Sequence, residues 1–228
     1  MRHIRAICFD LDDTLWDMSA VIPRAEEHLY AWFEERYPRV TEVYKPRDLH
    51  RLRAEVGARY PELRHDLTTL RMHMLRTVFA TAGYDEAPAA EAFEVFQKKR
   101  NEVELYADVE PVLRALGRHH RLFALTNGNA SLGAIGIDGL FDGVITAREL
   151  GIAKPEPAFF SAALSQVGIG PDVALHVGDH PENDIRAAQQ AGLTAVWLNR
   201  NGAAWDLPDS QPDVEIDSLV RLPELLRQ

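Results

Sequence analysis

The sequence predicts an α/β fold, a doubly wound parallel sheet of Rossmann type, with an all-α domain inserted near its start. Three observations predict it. An apolar run, Ile4-Arg5-Ala6-Ile7-Cys8-Phe9, reads as a buried strand that ends in Asp10, Asp12 and Asp13. The stretch from about Ser19 to Tyr106 then carries helical periodicity and no strand pattern. From Asp108 onward, helices and strands alternate, which implies βαβ units and a parallel sheet covered on both faces. The first strand therefore belongs by type with the C-terminal half. The expected domains are a core of 1–16 with 108–228 and a helical insertion of 17–107.

The elements follow in order. After the first strand, Pro23 suits a helix start, and Leu29, Trp32, Phe33 and Tyr37 recur at helical spacing until Pro38. A second helix runs from Pro46 through Leu49, Leu52 and Val56 to about Gly57. A third covers Leu67 to Phe79, with Gly83 as its stop. A fourth runs from Pro88 through Phe93 and Phe96 to Val103, and the run Lys98-Lys99-Arg100 reads as its solvated face. In the second half, Val109–Leu116, Pro157–Val167, Asn183–Ala191 and Asp217–Leu226 read as helices. Arg121–Leu125, Gly143–Thr146, Val173–Val177 and Thr194–Leu198 read as strands, and 199–213 as a surface loop.

Composition narrows the class. With 46% apolar and 26% charged residues the chain is globular, and a net charge of −10 argues against a nucleic-acid binder. The single cysteine, Cys8, sits inside a strand, where no internal disulfide is open to it, so a reducing, cytoplasmic setting is expected. No run approaches the ~18 apolar residues of a membrane span, and the N-terminus passes straight into a strand. No membrane or nucleic-acid partner is expected, and the chain is expected to be a monomer or homodimer.

In open parallel sheets, ligands bind beyond the carboxyl ends of the strands. Those ends supply Asp10, Asp12 and Thr14, then Thr126 and Asn127, then Lys154 after a short connection, then Asp179 with Asp184 behind it. Acids crowded at one strand end repel one another and are costly to desolvate, so a cation is expected among them. Several carboxylates about one point make a hard oxygen site suited to Mg²⁺. A lysine can contact both a phosphate and a carboxylate, and a threonine hydroxyl can hold phosphate oxygens. Two other patterns carry less. Gly133, Gly136 and Gly139 follow no strand, so they are no dinucleotide fingerprint. His176 and His180 flank Asp179 but are too few for a zinc site, though His180 stands where it could touch substrate.

Asp10-Leu11-Asp12-Asp13-Thr14, Leu125-Thr126-Asn127-Gly128, Lys154-Pro155 and Gly178-Asp179 with Asn183-Asp184 resemble the four motifs of the haloacid dehalogenase superfamily. The insertion after the first motif resembles that superfamily's helical cap. The resemblance implies Asp10 as a nucleophile forming an aspartyl phosphate. It implies Asp12 as general acid and then base, and Thr126 and Lys154 as phosphoryl-binding groups. Asp10, the main-chain carbonyl of Asp12, and Asp179 would hold Mg²⁺, with Asp184, Asn127 and Thr14 in support. A halide leaving group needs no acid at position 12 and an alkoxide does, so Asp12 points to a phosphatase or phosphomutase acting on a small phosphate ester. Residues 52–71, with Thr126–Ala130 and Leu175–Asp179, resemble bacterial members acting on flavin mononucleotide, a group also associated with 5-amino-6-(5-phospho-ribitylamino)uracil in riboflavin metabolism. Other sugar phosphates and nucleoside monophosphates stay open, as does a non-catalytic ligand-binding role. Trp16, Asp17, Asp66, Arg71 and Asn129 are the candidate substrate contacts.

Overall fold

The structure is a computed structural model that describes residue 1 and residues 3–227. In chain order the strands are β1 (Ala6–Phe9), β2 (Arg121–Thr126), β3 (Gly143–Thr146), β4 (Ala174–Gly178), β5 (Thr194–Leu198) and β6 (Val214–Ile216). The helices are α1 (Val21–Arg36), α2 (Pro38–Val43), α3 (Pro46–Arg59), α4 (Leu67–Thr81), α5 (Ala89–Arg100), α6 (Val109–Leu116), α7 (Leu132–Ile135), α8 (Ala147–Leu150), α9 (Pro157–Val167), α10 (Ala187–Gln190) and α11 (Leu222–Arg227).

The chain divides into two compact units: Met1–Asp17, Glu104–Gly128 and Gly136–Gln228 form one, and Met18–Val103 with Asn129–Ile135 form the other. The first holds a six-stranded sheet, every pair parallel, in the order β3-β2-β1-β4-β5-β6. This is the doubly wound order, and its reversal point lies between β1 and β4. All four residues of β1 and all five of β4 are buried, as expected for strands covered on both faces. Cys8 is one of them, and burial pushes its thiol up to about 12, so it stays protonated. β6 was not predicted. Three residues at a sheet edge are too few to carry a period-two signal.

Local sequence sets the helix ends. Thr146 and Glu149 form a capping box at the start of α8. Pro157 opens α9, and Gly168 closes it in the left-handed region, φ 68°. The helix expected over 183–191 instead begins as a π-helical turn over Pro181–Arg186 and continues into α10. There, both Asp184 and Ile185 N–H point at the His180 carbonyl (3.0 and 3.4 Å).

In the helical unit, α1, α3, α4 and α5 bury Leu29, Phe33, Val56, Leu75, Val78, Phe79 and Phe96. Edge-on contacts join Phe33, Tyr37, Phe79 and Tyr84. Pro38 ends α1 as expected, and it also starts α2, the position in which proline costs a helix nothing. One reading is corrected. Arg100 is 1% exposed, so the basic run on α5 is not wholly solvated; a guanidinium stem is long enough to bury. Residues 129–135 go with the helical unit, because Asn129 Nδ2 bonds Thr68 Oγ1 (3.3 Å) and Ser131 N–H bonds Asn101 Oδ1 (3.0 Å). No helix among the described residues is long and apolar enough to cross a membrane.

Candidate active site

The site is built at the carboxyl ends of β1, β2 and β4. Asp10 N–H donates to the Val177 carbonyl (2.9 Å), carrying the β1–β4 ladder one residue past the strand. The chain then turns, with Thr14 and Leu15 N–H both bonding the Leu11 carbonyl (3.2 and 2.8 Å). Asp13 has φ 63°, a left-handed conformation that aspartate tolerates better than most residues. One of the three acids of this stretch thus answers a backbone requirement. The turn leaves the buried Thr14 hydroxyl between two carboxylates, 3.3 Å from Asp10 Oδ2 and 3.2 Å from Asp179 Oδ1.

Lys154 is the cation expected among the acids. Its Nζ donates to Asp10 Oδ1 (2.5 Å), Asp184 Oδ1 (2.7 Å) and the Leu125 carbonyl (3.1 Å), and its side chain is 2% exposed. Asn127 fixes its backbone from both sides: Nδ2 donates to the Lys154 carbonyl (2.8 Å) and Oδ1 accepts its N–H (2.9 Å). Thr126, buried at the end of β2, accepts Gly128 N–H on Oγ1 (2.8 Å), which leaves the hydroxyl proton free to donate elsewhere.

Asp10, Asp179 and Asp184 each offer an oxygen within 4.8 Å of the others. Their environments differ. Burial opposes the charge on Asp184, yet Lys154 and the His176 bond outweigh it and hold this carboxyl well below the usual range. Burial drives Asp10 well above that range against the pull of Lys154, and Asp184 and Asp179 add to the rise. Burial, then Asp184 and Asp13, push Asp179 up to about 7. Three carboxylates face one ammonium, an excess of two negative charges when all are ionised. The donor set, all hard oxygen, and that excess both fit a divalent cation such as Mg²⁺.

The Asp12 carboxylate is not one of these three. Its Oδ1 accepts the Trp16 indole N–H (3.0 Å), and it lines the same 200 Å³ cavity as Asp10, Thr126, Lys154 and Asp179. Trp16 is 0% exposed, so its place is behind the acid and it presents no open ring face. Asp17 is exposed at the end of the core segment. Asp66, Arg71 and Asn129 lie in the helical unit. Asp66 caps α4 by accepting Thr69 N–H (2.9 Å) and Thr69 Oγ1 (2.7 Å). Arg71 is buried with its guanidinium 3.5 Å over the Phe96 ring and 3.7 Å from Glu26; burial brings it down to about 10. It lines a larger cavity of about 720 Å³ between α1, α3 and α4, which contains none of the motif residues.

Sequence reasoning missed three residues. His176, in β4 and weighed from the sequence only as a zinc ligand, donates Nε2–H to Asp184 Oδ1 (3.0 Å). Trp197, in β5, donates to the Asp179 carbonyl (2.7 Å), and nothing in its surroundings in the sequence announces that. Gly178 was read only as part of a motif. A Cβ on it would stand 2.3 Å from Asp184 Cγ and 2.5 Å from Asp184 Cβ. Gly178→Ala is therefore expected to displace Asp184 and to lower stability by about 1–3 kcal/mol. A denaturant midpoint within error of the wild type would show that Asp184 relocates without cost.

Comparison with known proteins agrees with this geometry. Residues 4–192 match the haloacid dehalogenase-like hydrolase family. The chain is 31% identical to the Escherichia coli 5-amino-6-(5-phospho-D-ribitylamino)uracil phosphatase YigB, over 99% of this chain and 98% of that one. It is 32% identical to the glyceraldehyde 3-phosphate phosphatase of Methanopyrus kandleri, over 99% and 98%. Among solved structures, one titled 2-haloacid dehalogenase from Pseudomonas syringae superposes with a TM-score of 0.92 at 39% identity, covering 98% of each chain. The chain belongs to the haloacid dehalogenase-like hydrolase family.

Proposed function

We propose that the protein is a Mg²⁺-dependent phosphomonoesterase for a small metabolite, working through a phosphorylated Asp10, with the helical unit as its cap. The observation that carries this reading is Asp12: a second carboxylate two residues past Asp10, outside the cation cluster, held by Trp16 and lining the same cavity. Asp10 Oδ attacks phosphorus as the bond to the leaving oxygen breaks. Asp12 delivers its proton to that oxygen, a contribution typically of ~10²–10⁴-fold. Asp12 then takes a proton from the water that attacks phosphorus and frees Asp10. Lys154 offsets the charge on the phosphoryl oxygens and Thr126 donates a hydrogen bond to them. Asp10, Asp179 and the Asp12 carbonyl would hold Mg²⁺, which would supply further charge neutralisation.

The similarity to the Escherichia coli relative supports 5-amino-6-(5-phospho-D-ribitylamino)uracil as substrate, and the resemblance of residues 52–71 keeps flavin mononucleotide beside it. The name of the Pseudomonas structure supports a second reading, displacement of halide from a 2-haloacid, in which Asp12 has no part. Incubation with both riboflavin-related phosphates, sugar phosphates, nucleoside monophosphates and 2-chloropropionate, scoring phosphate and chloride, separates them. Chloride release without phosphate release overturns the proposal. An isomeric phosphate without free phosphate identifies a mutase.

The cation also sets a pH dependence. Asp179 titrates near 7 in the folded chain and near ~4 unfolded. Between those values the folded state binds more protons, so metal-free stability falls as pH rises through that window. Asp10 acts in the same direction, whereas the stability from Asp184 is lost only on acidification below ~4. Cation binding must displace the Asp179 proton. Mg²⁺ is expected to raise the thermal midpoint more at pH 8 than at pH 5; the reverse order would contradict the cluster as its site.

A further inference from the structure

The Arg200 side chain, just past the end of β5, reaches the turn after β1. Its Nε donates to the Thr14 carbonyl (3.2 Å). Its Nη1 and Nη2 donate to the two oxygens of Asp108 (3.0 and 2.9 Å), and the guanidinium lies 4.1 Å over the Tyr106 ring. The pair is 12% and 10% exposed, so solvent screens it little. Asp108 is itself fixed, accepting Ser218 Oγ (2.7 Å) and Leu219 N–H (2.9 Å). A two-pronged ion pair of this kind holds a guanidinium in one orientation.

The turn needs such an anchor. Asp13, at φ 63°, holds its left-handed backbone only while its surroundings over-determine it. Thr14, the next residue, carries the hydroxyl between Asp10 and Asp179. Arg200 holds the carbonyl of that same residue.

We propose that Arg200 is a positioning residue for the cation: by fixing the Thr14 carbonyl it keeps the Thr14 hydroxyl between the two carboxylates that hold Mg²⁺. Asp108 acts through Arg200. This rests on the Mg²⁺ reading above and extends it to a group that touches neither substrate nor metal. Outer groups that orient metal ligands typically change affinity 10–100-fold when removed.

The test is Mg²⁺ titration of the full chain by calorimetry, with the thermal midpoint of each metal-free variant measured alongside. Arg200→Ala and Arg200→Lys are expected to weaken Mg²⁺ about tenfold or more, because lysine can reach Asp108 but lacks the Nε that holds Thr14. Asp108→Asn, which keeps the shape and removes the charge, is expected to weaken it less. Thr14→Val is expected to weaken Mg²⁺ by itself, and Arg200→Ala on that background is expected to add less than twofold, since both act through one hydroxyl. A lowered midpoint with Mg²⁺ affinity within twofold of the wild type, in either Arg200→Lys or Asp108→Asn, makes the pair merely structural. Fully additive losses in the double variant overturn the route through Thr14. Absence of Mg²⁺ binding by the wild-type chain overturns the reading beneath the proposal, a result distinct from both.

Discussion

Asp10→Asn is expected to cut phosphate release on the order of 10⁴–10⁶-fold in kcat, the scale seen when a covalent nucleophile is removed. Asparagine keeps the shape of the side chain and its bond to the Thr14 hydroxyl but offers no carboxylate oxygen to phosphorus. The loss should not come from unfolding. Burial already drives the Asp10 carboxyl toward its neutral form, and Lys154 keeps a second carboxylate partner in Asp184 at 2.7 Å. The metal-free thermal midpoint is therefore expected to hold or rise, while the rise produced by Mg²⁺ shrinks because one anionic ligand is gone. Phosphate release and thermal melts on one preparation check both halves. Retention of a few per cent of wild-type kcat would remove Asp10 from the role of nucleophile.

The core and the strand ends that carry the candidate site were legible because they obey short-range rules. A buried parallel strand writes a continuous apolar run, and the residue after it faces the cleft whatever the rest of the chain does. Asp10, Thr126 and Asp179 follow β1, close β2 and follow β4 in turn. What the sequence hid depends on pairs distant along the chain. Trp197 matters because its indole meets the Asp179 carbonyl across neighbouring strands, and Arg200 because it meets Thr14, 186 residues away. No periodicity encodes such meetings. The helical unit was legible as helices, since amphipathic spacing reports which face is buried. It was less so as chemistry: Asp66 and Arg71 were expected as substrate contacts, and the contacts seen are a helix cap for the first and a guanidinium over the Phe96 ring for the second. A polar residue on a helix reads the same whether its partner is a ligand or the helix itself.

Lys154→Met carries the largest expected effect on the fold. Methionine preserves most of the stem that packs in the core, so the change isolates the ammonium. Removing one member of a buried ion pair while its partners stay charged costs about 3–5 kcal/mol. Here two partners are left, Asp10 and Asp184. Asp10 already sits high and meets the loss by staying protonated. Asp184 cannot: Lys154 leads the groups that hold it down against burial, and without the ammonium burial dominates. In the wild type the Asp184 carboxyl stabilises the fold above its unfolded value of ~4, because the folded state releases its proton first. In the variant the order inverts, and the folded state binds the proton more tightly than the unfolded one. The stability gap between the two proteins, part of which is already present at pH 4, is therefore expected to widen from pH 4 toward pH 7 in denaturant titrations of the metal-free chains. A gap that stays constant with pH would assign the loss to packing and leave Lys154 without its electrostatic role. Turnover should fall in parallel, by roughly 10²–10³-fold, the usual cost of one group that stabilises developing oxygen charge. The ammonium that lets Asp10 and Asp184 be buried side by side is thus the same group to which the proposed reaction gives the phosphoryl oxygens.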